Sequence, residues 1–135
     1  MARVISEEAL AVVTIWQEAR GEPYAGKVAV AEVIRNRMRA RYSSDGTVAG
    51  TVARAYQFSG WNAQDPGRVP SLRLDDADAV VLECARAWRD AQAGSETVGG
   101  AVLYHAQYLA PPSWAAAGRA VRIAQVGRHI FYRAL

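Results

Sequence analysis

The chain has one cysteine, Cys84, in 135 residues. A lone thiol closes no internal disulfide, and with only two histidines it leaves no Cys/His cluster for zinc. A disulfide-stapled scaffold and a zinc finger are both excluded. Lysine is just as scarce: Lys27 is the single lysine among sixteen basic residues, so the other fifteen are arginines. With alanine also abundant, that bias reads as codon usage in a GC-rich genome and not as function. No apolar run approaches the roughly 20 residues needed to cross a bilayer, so no stable membrane insertion is expected. The start, Met1-Ala2-Arg3-Val4-Ile5-Ser6-Glu7-Glu8, turns acidic too soon for a signal peptide. Neither HExxH nor Gly-x-Ser-x-Gly occurs, which removes the zinc-protease helix and the nucleophile elbow. No metal and no organic cofactor is expected.

What remains is a globular composition, 51% hydrophobic with a net charge of +3. The length suits one domain, 1–135, which can hide roughly two-thirds of its unfolded surface without covalent staples. The modest positive charge favours an anionic polymer by weak long-range attraction and leaves nucleic acid, a membrane surface and cell wall all open. Arg35, Arg37, Arg39 and Arg41 fall on two sides of a helix at about 100° per residue. That spread suggests a solvated helix end and no nucleic-acid stripe.

Hydrophobic periodicity predicts a helix over residues 6–20, with Ser6 as cap and Glu7 and Glu8 in the first turn. Its nearly all-apolar centre, Ala9 to Trp16, places it in the middle of a domain. Pro23 opens a second helix, 25–41. A third covers Thr47 to Tyr56, a long loop Gln57 to Leu74, and a fourth helix, capped by Asp75, runs to Ala93 before Gly94. Three strand candidates follow: Ala101 to His105, Ala120 to Ile123 and His129 to Tyr132, the last two separated by a turn at Gly127. The fold class is α+β, mainly α-helical, with a small β element near the C-terminus.

Three constellations carry chemistry. Glu18 and Glu22, in Glu18-Ala19-Arg20-Gly21-Glu22-Pro23, close the first helix. Burial and the negative end of a helix dipole both favour the neutral form of a carboxyl there, as general-acid cleavage of a glycosidic bond requires. The alternative for either glutamate is a structural salt bridge to an arginine. Gln57-Phe58-Ser59-Gly60-Trp61-Asn62 interleaves amides and hydroxyl with aromatic rings, as a sugar site does, or else forms a lid over the core. Tyr104-His105, Pro112-Ser113-Trp114 and Gly127-Arg128-His129-Ile130-Phe131-Tyr132 form the third set, in which His129 reads as a hydrogen-bonded structural histidine.

In this order the blocks resemble the spore cortex-lytic enzyme family of cell wall hydrolases. The run from Glu18 to Arg37 looks like that family's long first motif, and Gln57-Phe58-Ser59 with Trp61, Tyr104-His105, Pro112 with Trp114, and Gly127 with His129, Phe131 and Tyr132 resemble its later ones. The resemblance implies a lysozyme-like domain acting on peptidoglycan glycan strands, with the first glutamate of the motif, Glu18, as catalytic acid. It implies lytic transglycosylation: cleavage of the MurNAc–GlcNAc β-1,4 bond with formation of a 1,6-anhydro-MurNAc end. One carboxyl suffices for that chemistry, whereas a two-carboxylate hydrolase needs a second positioned acid, and none stands out. Glu22, between Gly21 and Pro23, should face another way and anchor the turn.

Gln57, Ser59 and Tyr104 are the expected polar contacts to the glycan. Phe58, Trp61 and Trp114 are expected as aromatic subsite walls, and His105 and Tyr132 as further site liners. A hydrolytic muramidase of the same fold and a non-catalytic peptidoglycan-binding module are the alternatives. The expected protein is a monomer that binds no nucleic acid. A free-standing catalytic domain beginning at its own Met1 suggests a phage endolysin, made in the host cytoplasm and released to the wall at lysis; a cell wall-associated domain of a longer bacterial enzyme, or a virion-associated lysin, would read the same.

Overall fold

A computed structural model of the chain describes residues 5–54, 57–62, 65–66, 68–71, 73–75, 77–116 and 118–135. Helix α1 is Glu7–Ala19, α2 is Tyr24–Ala40, α3 is Ala49–Val52, α4 is Arg68–Ser71 and α5 is Ala79–Gln92. Strands β1 (Leu103–Ala106), β2 (Ala120–Val126) and β3 (His129–Ala134) make one antiparallel sheet in the order β1-β3-β2. The chain is mostly helical with a small sheet at its C-terminal end, as expected.

Local chemistry sets most element ends. The Ser6 side chain accepts from the Ala9 amide at 3.1 Å and opens α1. Pro23, with no amide proton to lose and its φ preset at −60°, stands immediately before α2. The α5 cap is Asp78 and not Asp75. Asp78 accepts from the Val80 and Val81 amides at 2.9 and 3.2 Å, while Asp75 forms a turn one step earlier through the Ala77 amide. The third helix is shorter than its pattern suggested, and residues 55 and 56, at its expected end, lie outside the described residues. Two short helical turns, Ser59–Trp61 and α4, interrupt the long loop.

The most buried helix is α2, although α1 has the more apolar sequence. α1 packs against α2, α5 and the short helical elements, but every residue of α2 from Gly26 to Arg37 is buried. That stretch includes Lys27, Glu32, Arg35, Asn36 and Arg37. Arg35 and Arg37 are each 4% exposed, so the expected solvated helix end is corrected: only Arg39 and Arg41 reach solvent. Arg35 and Arg39 share a helical face, but the axis leaves the core between them, and depth along the axis outweighs face.

Burial of charge at this depth costs several kcal/mol per group unless partners satisfy it. Here each group has partners. Glu32 accepts from the hydroxyls of Ser95 and Thr97 and the Val98 amide. Arg35 donates to the Ala91 and Ser95 carbonyls, Asn36 to those of Gly99 and Ala101, and Arg37 to that of Val102. These bonds grip the segment between α5 and β1 and so fix where β1 lies.

Candidate active site

Glu18 sits in the last turn of α1, and β1 delivers Tyr104 opposite it. The Tyr104 hydroxyl donates a short hydrogen bond to Glu18 Oε1. Burial raises the Glu18 pKa above the usual carboxylate value. The Tyr104 bond and the nearby Arg37 and Arg20 charges oppose that rise, while Asp65 adds to it, and the net shift is upward. Burial, then the carboxyl of Glu18, push the Tyr104 phenol well above its ordinary value, so it stays a donor.

The two partners of this bond line different cavities. Glu18 lines one of about 260 Å³ with Arg20, Glu22, Tyr108, Arg128 and His129. Tyr104 lines one of about 310 Å³ with Arg37, Tyr42, Gln57, Leu103 and Trp114. The carboxyl and phenol thus stand between two polar pockets, an arrangement suited to an extended polymer with a scissile bond at its centre.

Glu22 shares the first cavity but is fully engaged. Its Oε1 accepts from the Arg128 amide at 2.7 Å and its Oε2 from Arg128 Nε at 3.0 Å, which pins the α1–α2 turn to the β2–β3 turn. The Gly127 backbone has φ 56°, and a Cβ there would meet Glu22 Oε1 at 2.7 Å, so both conformation and space call for glycine. Burial raises the Glu22 pKa, but the Arg128 bonds and the His129 and Arg128 charges outweigh it, and the net shift is downward. Two glutamates four residues apart are therefore pushed in opposite directions by their surroundings.

Other expected site residues divide between groove and scaffold. Gln57 lines the second cavity and accepts from Arg37 Nη1 at 3.2 Å. Trp114 lines the same cavity. Phe58 is corrected: at 1% exposure it belongs to the core, with the Arg37 guanidinium 4.8 Å above its ring, and it cannot wall a subsite. Ser59 is exposed in its helical turn and lines neither cavity. Trp61 packs partly on the core and donates from Nε1 to Thr14 Oγ1 at 2.8 Å, which fastens the loop to α1.

His105 and Tyr132 are also corrected. Strand alternation puts Tyr104, Phe131 and His129 on the sheet face toward Glu18, and His105 and Tyr132 on the other. There Tyr132, itself buried, bonds His105 Nε2 at 2.8 Å, and Trp114 packs edge-on against both rings. They back Trp114 and do not line the groove beside Glu18. His129 packs at a tilt against Tyr104 with ring centroids 5.0 Å apart, and burial lowers its pKa. Its Nδ1 lies 3.6 Å from Glu22 Oε1 with no hydrogen-bond partner among the described residues, so it is packed and not hydrogen-bonded there as expected.

Sequence reasoning missed Arg37, Asp65 and Arg128. Arg37 closes the first motif, and its place there was the available signal. Nothing local marks Asp65, whose charge reaches Glu18 from the loop. Among the described residues no three His, Cys, Asp or Glu side chains gather as a metal site, and no helix is long and apolar enough to cross a membrane.

Residues 21–132 match the family described as Cell Wall Hydrolase. The chain belongs to this family. The matched span begins just after Glu18, and solved structures extend the comparison across nearly the whole chain. The catalytic domain of the germination-specific lytic transglycosylase SleB from Bacillus anthracis superposes with a TM-score of 0.74 at 27% identity, covering 98% of this chain and all of that one. The catalytic domain of the Bacillus cereus SleB protein gives 0.75 at 27% identity, covering 98% of this chain and 95% of its own. Among curated proteins, the spore cortex-lytic enzyme of Oceanobacillus iheyensis is 33% identical over 117 residues, and that of Bacillus subtilis 31%. This cell wall hydrolase chain spans 38% and 34% of the length of those two relatives.

Proposed function

We infer that the chain is a peptidoglycan lytic transglycosylase that cleaves the MurNAc–GlcNAc β-1,4 bond, with Glu18 as general acid and then general base. The observation that carries this reading is the Glu18–Tyr104 pair: a carboxyl held toward its neutral form between two polar cavities. The likeness to SleB catalytic domains supports the same chemistry.

The geometry suits the reaction step by step. Tyr104 occupies Oε1, which leaves Oε2 to carry the proton. Protonated Glu18 gives that proton to the glycosidic oxygen as the C1–O bond breaks, and positive charge develops on the muramic ring. The carboxylate so formed is stabilised by the Tyr104 hydroxyl and the Arg37 charge. It then removes the proton of the muramic 6-hydroxyl as O6 bonds to C1, which closes the 1,6-anhydro ring and restores the acid. No water is consumed. Glu22, held by Arg128, is not available as a nucleophile. Asp65, whose charge acts on Glu18, is the one observation that favours a hydrolytic second reading.

Purified sacculi test this. The wild type should release muropeptides with anhydro ends, which lack the mass of one water, and Glu18→Gln should release none while melting normally. Products carrying the added water would assign hydrolysis. Near-normal release by Glu18→Gln would remove Glu18 from catalysis.

A further inference from the structure

The cavity that Glu18 shares with Glu22 has a rim for which cleavage of a neutral sugar chain has no use. Two guanidiniums stand on it. Arg20, the residue after α1, lies over the Trp16 ring at 4.6 Å and donates to the Gln17 carbonyl at 2.9 Å. Among the described residues no carboxylate pairs with it. Arg128, from the β2–β3 turn, spends its Nε on Glu22, while its guanidinium carbon sits 5.7 Å from the centre of the exposed Tyr108 ring. Its Nη2 lies over Gly21, where a Cβ would approach to 3.2 Å, so glycine leaves room for the guanidinium to lie across the cavity edge.

Both cations are thus held in place before any ligand arrives. Preordering reduces the conformational entropy lost on binding. Arg128 remains half-exposed, its side chain at 55%, whereas the Glu22 side chain is only 4% exposed and both its oxygens accept from Arg128. The anion that balances Arg128 is therefore the more enclosed of the pair, and both cations line the cavity. With Glu18 protonated, two positive charges oppose one negative.

We propose that this cavity is a carboxylate subsite, which takes an acidic group borne on the muramic acid side chain next to the scissile bond. The proposal rests on the transglycosylase reading, because it places the muramic residue at Glu18. In peptidoglycan that side chain is a lactyl ether at O3, amidated by a short acidic peptide stem. The carboxylate has two possible sources: the stem glutamate, or the lactyl group itself where the stem is absent. A planar guanidinium fork matches either. The site thereby selects which muramic residues along a strand are cut.

Three substrates separate the sources: strands with acidic stems, strands whose stem glutamate is amidated, and strands stripped of stems, where the lactyl carboxylate is free. For stem recognition, kcat/KM on acidic stems should exceed that on amidated stems by about tenfold, the worth of one bond to a charged group. That preference should collapse in both Arg20→Gln and Arg128→Gln. If the arginine dependence appears only on stripped strands, the lactyl carboxylate is the ligand, and the subsite stands. Equal kcat/KM on all three substrates, unmoved by either substitution, overturns the subsite but leaves the transglycosylase reading intact. Failure of the wild type to cut any strand overturns that reading, and the subsite with it. Arg20→Gln leaves the Glu22–Arg128 contact intact, and its charge effect on Glu18 is common to all three substrates, so its substrate preference remains decisive if Arg128→Gln loosens the β2–β3 contact.

Discussion

Replacing Tyr104 by phenylalanine removes one oxygen and little else. The ring keeps its packing on His129 and Phe131, at centroid separations of 5.0 and 5.4 Å, so stability should hold within about 1 kcal/mol. The catalytic effect follows from what the hydroxyl does in each state of Glu18. Against a neutral carboxyl the bond contributes about 0.5–1.5 kcal/mol, and against a carboxylate about 1.5–3 kcal/mol. Only the difference, about 1–1.5 kcal/mol, lowers the barrier, because the uniform part stabilises ground and transition states alike. Tyr104→Phe should therefore lower kcat by about tenfold, and not by the thousandfold expected of a lost proton donor.

The pH profile gives a second, independent readout. Tyr104 holds the Glu18 pKa down against burial, so its removal moves that pKa further up. The acid form then persists to higher pH, and the basic limb of kcat/KM should move upward as kcat falls. Turbidity loss of sacculi across a pH series measures both. A limb that moves downward, or a kcat unchanged at every pH, would refute the assigned role of the hydroxyl.

Two further outcomes test the scaffold. Asn36→Ala removes the side-chain donor to the part-buried Gly99 and buried Ala101 carbonyls and should cost about 2–3 kcal/mol, read as a lower urea midpoint at unchanged slope; a loss below about 0.5 kcal/mol would show that the clamp is not structural. Glu22 has a folded-state pKa below its ordinary value, so its carboxylate stabilises the fold above the ordinary carboxylate range, and that contribution is lost as pH falls through the folded value. Glu22→Gln should consequently melt lower near neutral pH and lose less than wild type on acidification, by calorimetry across the acid range.

Where the sequence was legible, the cause was local. Ser6, Pro23, Gly94 and Gly127 each act on their own few residues, and each ends or begins an element as expected. Glu18 was marked as the acid by the family resemblance of the first motif, since its spacing alone left a structural salt bridge open. The buried arginines were not legible. Their main-chain acceptors are carbonyls 56–65 residues away, and a carbonyl carries no mark of which residue bears it. His105 and Tyr132 were misplaced for a different reason. Tyr104 and His105 are consecutive in a strand, so both could not face Glu18, and the alternation rule already said so. Phe58 shows the opposite trap: between polar neighbours in a loop an aromatic ring looks like a binding surface, yet it fills the core.

The polar residues along the inner length of α2 have a consequence for how the chain reaches its fold. Glu32, Arg35, Asn36 and Arg37 draw most of their partners from residues 91 to 102. A collapsed intermediate made of the first helices alone would bury those groups unanswered, at a cost several times the stability of a small helical cluster. The amino-terminal half therefore has no native-like resting place of its own. Closure of loops of about sixty residues must accompany consolidation of the centre, which raises contact order and slows folding relative to a simple helical bundle. The helices and the sheet should therefore fold together in one cooperative transition.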